Sequence, residues 1–190
     1  MAKLDDLQLV EVKSTADLRA WLSQNHGQAR SIWLVRHKKA SPHYVSYEDM
    51  VRQALCFGWI DSLPRKLDDM RTMTLLSPRK PGSAWSAVNK RHVAALEHEN
   101  LIAAPGRMAI ERAKADGSWT FLDDVERLEK PADLLTSLKN TPGALAAYDA
   151  FPPSAQRGNL EWIKQAKTAA TRAKRIADTT ASAIKGIRRP

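Results

Sequence analysis

The chain has 190 residues, 43% of them hydrophobic and 27% charged, a balance that supports a packed core and excludes a disordered polymer. Its single cysteine, Cys56, excludes an intramolecular disulfide framework, and no stretch approaches the roughly 18 apolar residues of a membrane-spanning helix. The formal charge of +9 is uneven: residues 155–190 hold nine Lys or Arg against two acids, which points to an acidic partner such as nucleic acid, an anionic surface or an acidic protein.

Residues 1–12 mix charges among short apolar steps, without the apolar run and cleavage site of a secretory signal. With a lone cysteine, the expected compartment is the cytoplasm.

The first predicted helix covers residues 15–23, capped by Ser14 or Thr15, with Leu18, Trp21 and Leu22 on one face. Residues 31–37 are short, apolar and bounded by polar turns, as in a central strand. Ser46 then caps a helix through Phe57, closed by Gly58. Two extended runs, 59–67 and 70–76, surround Asp68 and Asp69 as an antiparallel hairpin, and Pro64 assigns the first run to an edge or a bulge.

A basic loop, 77–83, leads into a helix ending near Glu99, with Val88, His92, Ala95 and Leu96 at helical spacing. Beyond it the pattern is helical. Pro105, Pro131 and Pro142 read as first-turn prolines, residues 117–128 as a linker, and helices follow over 153–166 and 168–185. In the last helix Ala169, Ala173, Ile176, Ala177, Thr180 and Ile184 form the stripe expected to dock. The expected fold is α+β: a small antiparallel sheet of about three strands packed by helices over 1–120, then a helical module with a basic face over 121–190.

Several chemistries can be weighed from residue types and spacing. Cys56 sits near a helix C-terminus, where the dipole disfavours a thiolate, and reads as a packing thiol. The five histidines show no ligand pairing, so no metal is assigned, and neither GxGxxG nor GxxxxGK[ST] occurs, so no nucleotide cofactor is. The loop with Arg79, Lys80 and Ser83 runs into a helix start at Trp85 and Ser86, an arrangement suited to phosphate or carboxylate. Lys38, Trp59 and Asn89 complete that candidate ligand site, with Trp59 and Trp85 as stacking walls. His37 and Asp61 are candidate proton-transfer groups for a small planar acidic substrate. Lys164, Lys167, Arg172, Lys174 and Arg175 are candidate contacts to a nucleic-acid backbone, without base readout.

Four segments carry a resemblance: 32–39 (IWLVRHKK), 54–62 (ALCFGWIDS), 77–89 (SPRKPGSAWSAVN), and the pair WIKQAK at 162–167 with TRAKRI at 171–176. In this order they resemble the YdeI/OmpD-associated, bacteriocin-protection family. That resemblance implies a stress-response protein linked to protection from bacteriocins or antimicrobial peptides, and it implies no reaction. The expected function is therefore non-enzymatic protection with an anion-binding cleft, the alternatives being nucleic-acid binding and an enzyme acting on a small acidic substrate. The expected partner is an anionic small molecule or acidic macromolecule, with no membrane insertion.

Overall fold

A computed structural model describes residues 4–188. The chain divides into two compact units, Met1–Thr120 and Phe121–Pro190.

The N-terminal unit is built on a mixed sheet. After a short 3-10 turn at Leu4–Asp6 come β1 (Leu9–Val12), α1 (Thr15–Asn25), β2 (Ile32–His37), α2 (Tyr47–Cys56), β3 (Trp59–Lys66), β4 (Arg71–Pro78), α3 (Ala87–His98) and α4 (Ala104–Ala115). The strand order is β1-β2-β4-β3. Four strands are present rather than the expected three, and the sheet is not wholly antiparallel, because β1 pairs in parallel with β2. The parallel pair requires a crossover, which α1 supplies. β2 is central as expected, and β3 is the edge strand, with its register shifting between Asp61 and Pro64. Pro64 has no N–H to give a ladder, so an edge with an irregularity is where it fits.

Strand pairing fixes two faces. Ile32, Leu34 and Arg36 share one face with Val10 and Val12 of β1 and with Leu76, Thr74 and Thr72 of β4. Asp61, opposite Leu76, belongs to the same face. Trp33, Val35 and His37 point the other way. The first face carries the core, where Ile32, Leu34, Leu76 and Trp59 are fully buried with Leu18, Leu22, Met50 and Leu55 of the helices.

Serine caps set the helix starts: Ser14, Ser46 and Ser86 accept from the N–H of Asp17, Asp49 and Asn89. In α3 the buried stripe is Val93 and Leu96, while Val88 is exposed. α4 reaches the C-terminal end of α2 very closely. A Cβ at Gly106 would lie 2.3 Å from the carbonyl oxygen of Cys56, so only glycine permits this approach.

The C-terminal unit is helical: α5 (Asp123–Glu126), α6 (Ala132–Asn140), α7 (Ala144–Asp149), α8 (Pro153–Lys164) and α9 (Ala169–Ile184). The expected linker therefore contains α5. Pro131 stands at the N-cap of α6, and Pro142 precedes the cap Gly143 of α7, so both lie just outside the first turns assigned to them. α9 packs on α6, α7 and α8 through Ile176, Thr179, Thr180 and Ala183. That stripe is rotated from the expected one, leaving Ala169, Ala173, Ala177 and Ile184 exposed. No helix is long and apolar enough to cross a membrane among the described residues.

Candidate functional site

The site grows out of the end of β4. Arg79 follows the strand, and its N–H donates to the carbonyl of Gly58, while the guanidinium of Arg112 donates to the carbonyl of Arg79 at 2.9 Å. With its backbone fastened, the Arg79 side chain turns inward and is only 5% exposed. Its guanidinium lies 3.6 Å from the ring centroid of Trp85, itself buried, and Nη1 donates to the carbonyl of Ala84 at 3.3 Å. Nε and Nη2 are buried without a hydrogen-bond partner. These two nitrogens share one edge of the guanidinium, the edge that takes both oxygens of a carboxylate side-on. Burial pushes the Arg79 pKa down to about 10, with Asp61 opposing.

A second buried guanidinium, Arg36 of β2, is 6% exposed. Nη1 donates to the carbonyl of Val45 at 2.9 Å, Nε has no partner, and the ring of Tyr47 lies 5.8 Å away. Burial lowers its pKa, while Tyr44, Tyr47 and Asp61 act in the other direction. Neither arginine forms an ion pair among the described residues.

Asp61 is the charged neighbour the two arginines share. Arg36 stands opposite Thr72 near the start of β4, and Arg79 follows its last residue, so they approach Asp61 from opposite ends of that strand. The Tyr47 hydroxyl donates to Oδ2 of Asp61. Desolvation, followed by this bond to Asp61, raises the Tyr47 pKa to about 12, so the phenol is neutral. Tyr44 and Tyr47 are exposed, at 44% and 54%, and form the solvent side of this polar string.

The remaining expected ligands are scattered. Trp59 is wholly buried, with Nε1 on the carbonyl of His26 and its ring edge-on to Trp21; it is a core residue and offers no stacking wall. Lys38 follows β2, and its Nζ binds the carbonyls of Asp68 and Asp69 in the hairpin turn. That turn is roughly 25 Å from Arg79 along β4, judged from the rise per residue of a strand. Lys80 is exposed beside Arg79, and the Ser83 N–H turns back onto the carbonyl of Lys80. The Ser86 hydroxyl accepts the N–H of Asn89, and Asp116 takes the N–H of Gly82 at 3.0 Å, so the chain itself engages two backbone donors of this stretch. Of that site, Arg79 and Trp85 are the residues brought together.

His37 and Asp61 lie on opposite faces of the sheet by the parity of strand pairing. His37 binds Glu11 at 2.8 Å on its own face, next to the Glu11–Arg71 pair, and a shared proton-transfer site is thereby ruled out. Cys56 is buried and its pKa is raised by desolvation. No group of three His, Cys, Asp or Glu fit to hold a metal occurs among the described residues.

In the C-terminal unit, Lys164 pairs with Asp124 at 2.6 Å and Lys174 with Asp178. Arg172 presents Nε and Nη2 to the two oxygens of Asp133, at 2.7 and 2.9 Å. Arg175 donates to the carbonyl of Trp162 and covers its ring. Lys167 alone of the five expected contacts lacks such a partner among the described residues, and Arg189 lies outside them. Three of the five cations thus stand beside a carboxylate, which lowers the number of counterions they can release, while Arg175 and Lys167 have no such ion pair among the described residues.

Sequence reasoning missed Arg36, Tyr44 and Tyr47. A signal existed for Arg36, which alternates with Ile32 and Leu34 and therefore had to share their buried face.

Fold and site together define an α+β protein: a mixed-sheet domain holding two buried arginines without carboxylate partners among the described residues, and a separate helical module. Residues 10–109 match the family described as Domain of unknown function (DUF8412), and the chain belongs to that family. Residues 127–186 match the family described as Bacteriocin-protection, YdeI or OmpD-Associated. The YdeI/OmpD-associated resemblance is thus shown through the C-terminal unit, while the first three resembling segments fall within the domain of unknown function. No curated protein and no solved structure matches the chain.

Proposed function

We propose that the protein is a non-enzymatic protection protein of the stress or antimicrobial-peptide type, whose N-terminal unit binds an anion at Arg79. The protection half of this reading is supported by the family description over 127–186. The binding half is carried by one observation: the Nε and Nη2 edge of Arg79 is buried, stacked on Trp85 and unpartnered. A buried charged donor left without a partner costs stability that a structural role does not require, and burying it becomes favourable once an anion shares the site. The test is a titration with acetate and with inorganic phosphate, followed by tryptophan fluorescence, because Trp85 lies against the guanidinium. A saturable change in the wild type that is absent in Arg79→Met supports the reading. The same change in both proteins places the anion elsewhere and overturns it.

A further inference from the structure

We infer that the hollow between α5, α8 and the start of α9 is a second binding site, which takes a free α-amino acid with an apolar side chain. The site lies wholly within the C-terminal unit and is independent of the anion reading at Arg79.

The cavity has a volume of about 240 Å³. That is the space of roughly eight waters and falls short of the about 300 Å³ at which sites for drug-sized ligands begin, so its ligand is small. Its floor is apolar and withdrawn from water: Val125 and Leu160 are 2% exposed, and Ile163 is fully buried. Its rim is charged, with the carboxylates of Asp124 and Glu129 set against the cations of Lys164 and Arg172. The rim opens to water, since the Glu129 side chain is 55% exposed.

The chain holds each rim charge in place, and two of them keep bonding capacity. Nζ of Lys164 binds both oxygens of Asp124 at 2.6 Å and lies 4.9 Å from the ring centroid of Phe121, so that pair is engaged. Arg172 gives Nε and Nη2 to Asp133, while its Nη1 meets no acceptor among the described residues. Glu129 takes Nε of Arg127 on Oε1 at 2.6 Å, and its Oε2 meets no donor among the described residues. One spare cationic donor, one spare carboxylate oxygen and an apolar floor call for a ligand with a negative end, a positive end and an apolar group. The rim charges balance, so a ligand with a net charge would leave that charge uncompensated beside a poorly hydrated floor. An α-amino acid meets these conditions in one small molecule. Its carboxylate accepts from Nη1 of Arg172, its ammonium donates to Oε2 of Glu129, and its side chain covers Leu160 and Ile163.

The experiment follows the backbone amide signals of Val125 and Ile163 by nitrogen-resolved nuclear magnetic resonance in the full chain. Titrations use leucine, leucinamide, isocaproate and glycine at about pH 6.5, where both the α-amino group and the carboxylate are charged. Leucine moves both signals saturably. Leucinamide, which lacks the carboxylate, and isocaproate, which lacks the ammonium, bind about tenfold more weakly or worse, the scale of one charge-assisted hydrogen bond. Glycine brings nothing to the floor and does not saturate. Glu129→Gln alters an exposed side chain; it weakens leucine about tenfold and leaves isocaproate unchanged, whereas Arg172→Gln weakens leucine and leaves leucinamide unchanged. This crossed pattern separates a lost contact from a disturbed fold, which would weaken every ligand alike. Signals unmoved by leucine, isocaproate or leucinamide binding as tightly as leucine, or both variants weakening every ligand alike would each overturn the inference and leave the Arg79 reading untouched.

Discussion

Arg79 in the N-terminal unit and Arg172 in the C-terminal unit offer the same chemical edge, Nε and Nη2, in opposite circumstances. Arg172 is part-exposed and its edge is filled by both oxygens of Asp133. Arg79 is buried, and its edge meets no acceptor. The surface pair forms where water already solvates both ions and contributes about 0–1 kcal/mol. The interior cation gives up hydration without recovering it, which is why burial depresses its pKa and why the proposed anion site is put there. Local charge density read along the sequence pointed to the C-terminal helices, whereas the two cations withdrawn from solvent lie in a less basic region.

The comparison breaks most severely if the packing that holds the buried cations is disturbed. Gly106→Ala drives a methyl into the backbone of Cys56 and is expected to lower the unfolding free energy of the N-terminal unit by about 3 kcal/mol or more. Urea titration by tryptophan fluorescence measures this directly, because five of the six tryptophans lie in that unit. A loss under about 1 kcal/mol would mean that α4 does not approach α2 as closely as described.

A smaller effect of opposite sign sharpens the contrast. Arg79→Met keeps an apolar stem on Trp85 and removes the unpaired charge, and is expected to raise stability by about 1–2 kcal/mol while abolishing anion binding. Destabilisation by a similar amount would show that the guanidinium serves the fold.

Arg172→Ala is expected to cost at most about 1 kcal/mol, and less in high salt. Its hydrogen bond lowers the pKa of Asp133, so the folded-state value lies below the unfolded one. The stability this adds is present above the unfolded value and lost as pH falls through the folded value. Arg172→Ala should therefore flatten the stability curve below about pH 4 and leave it parallel to the wild type near neutrality. Smallest of all is the response to nucleic acid. With Lys164, Arg172 and Lys174 already paired, binding to duplex DNA across a salt series should show a shallow slope, and a steep one would restore the charge-density reading.

Local chemistry was legible in the sequence. Ser46 and the Gly58 stop bracket α2 as expected, and Pro64 marks the edge strand, because caps and ladder donors act within a few residues. β1 escaped notice because Leu9–Val12 is only four residues long and holds a glutamate on its outer face, too short a run for periodicity to register. The stripe on α9 was misjudged by a fraction of a turn, since alanine is equally at home on either side of a helix. The site was legible in Arg79 and Trp85, six residues apart, and in Asp61, which was read as a proton-transfer group. Its other members come from β2, from α2 and from the turn before it, and the ion pairs of the C-terminal cations span 39 residues for Arg172 with Asp133 and 40 for Lys164 with Asp124. Those distances in sequence are bridged by the fold alone.

The most direct measurement is a crystal structure of the full chain grown with benzoate. The expected result is a carboxylate with its two oxygens about 3 Å from Nε and Nη2 of Arg79, the span of a charge-assisted hydrogen bond. Electron density showing those nitrogens bonded to protein groups or ordered water, with no carboxylate beside them, would contradict it.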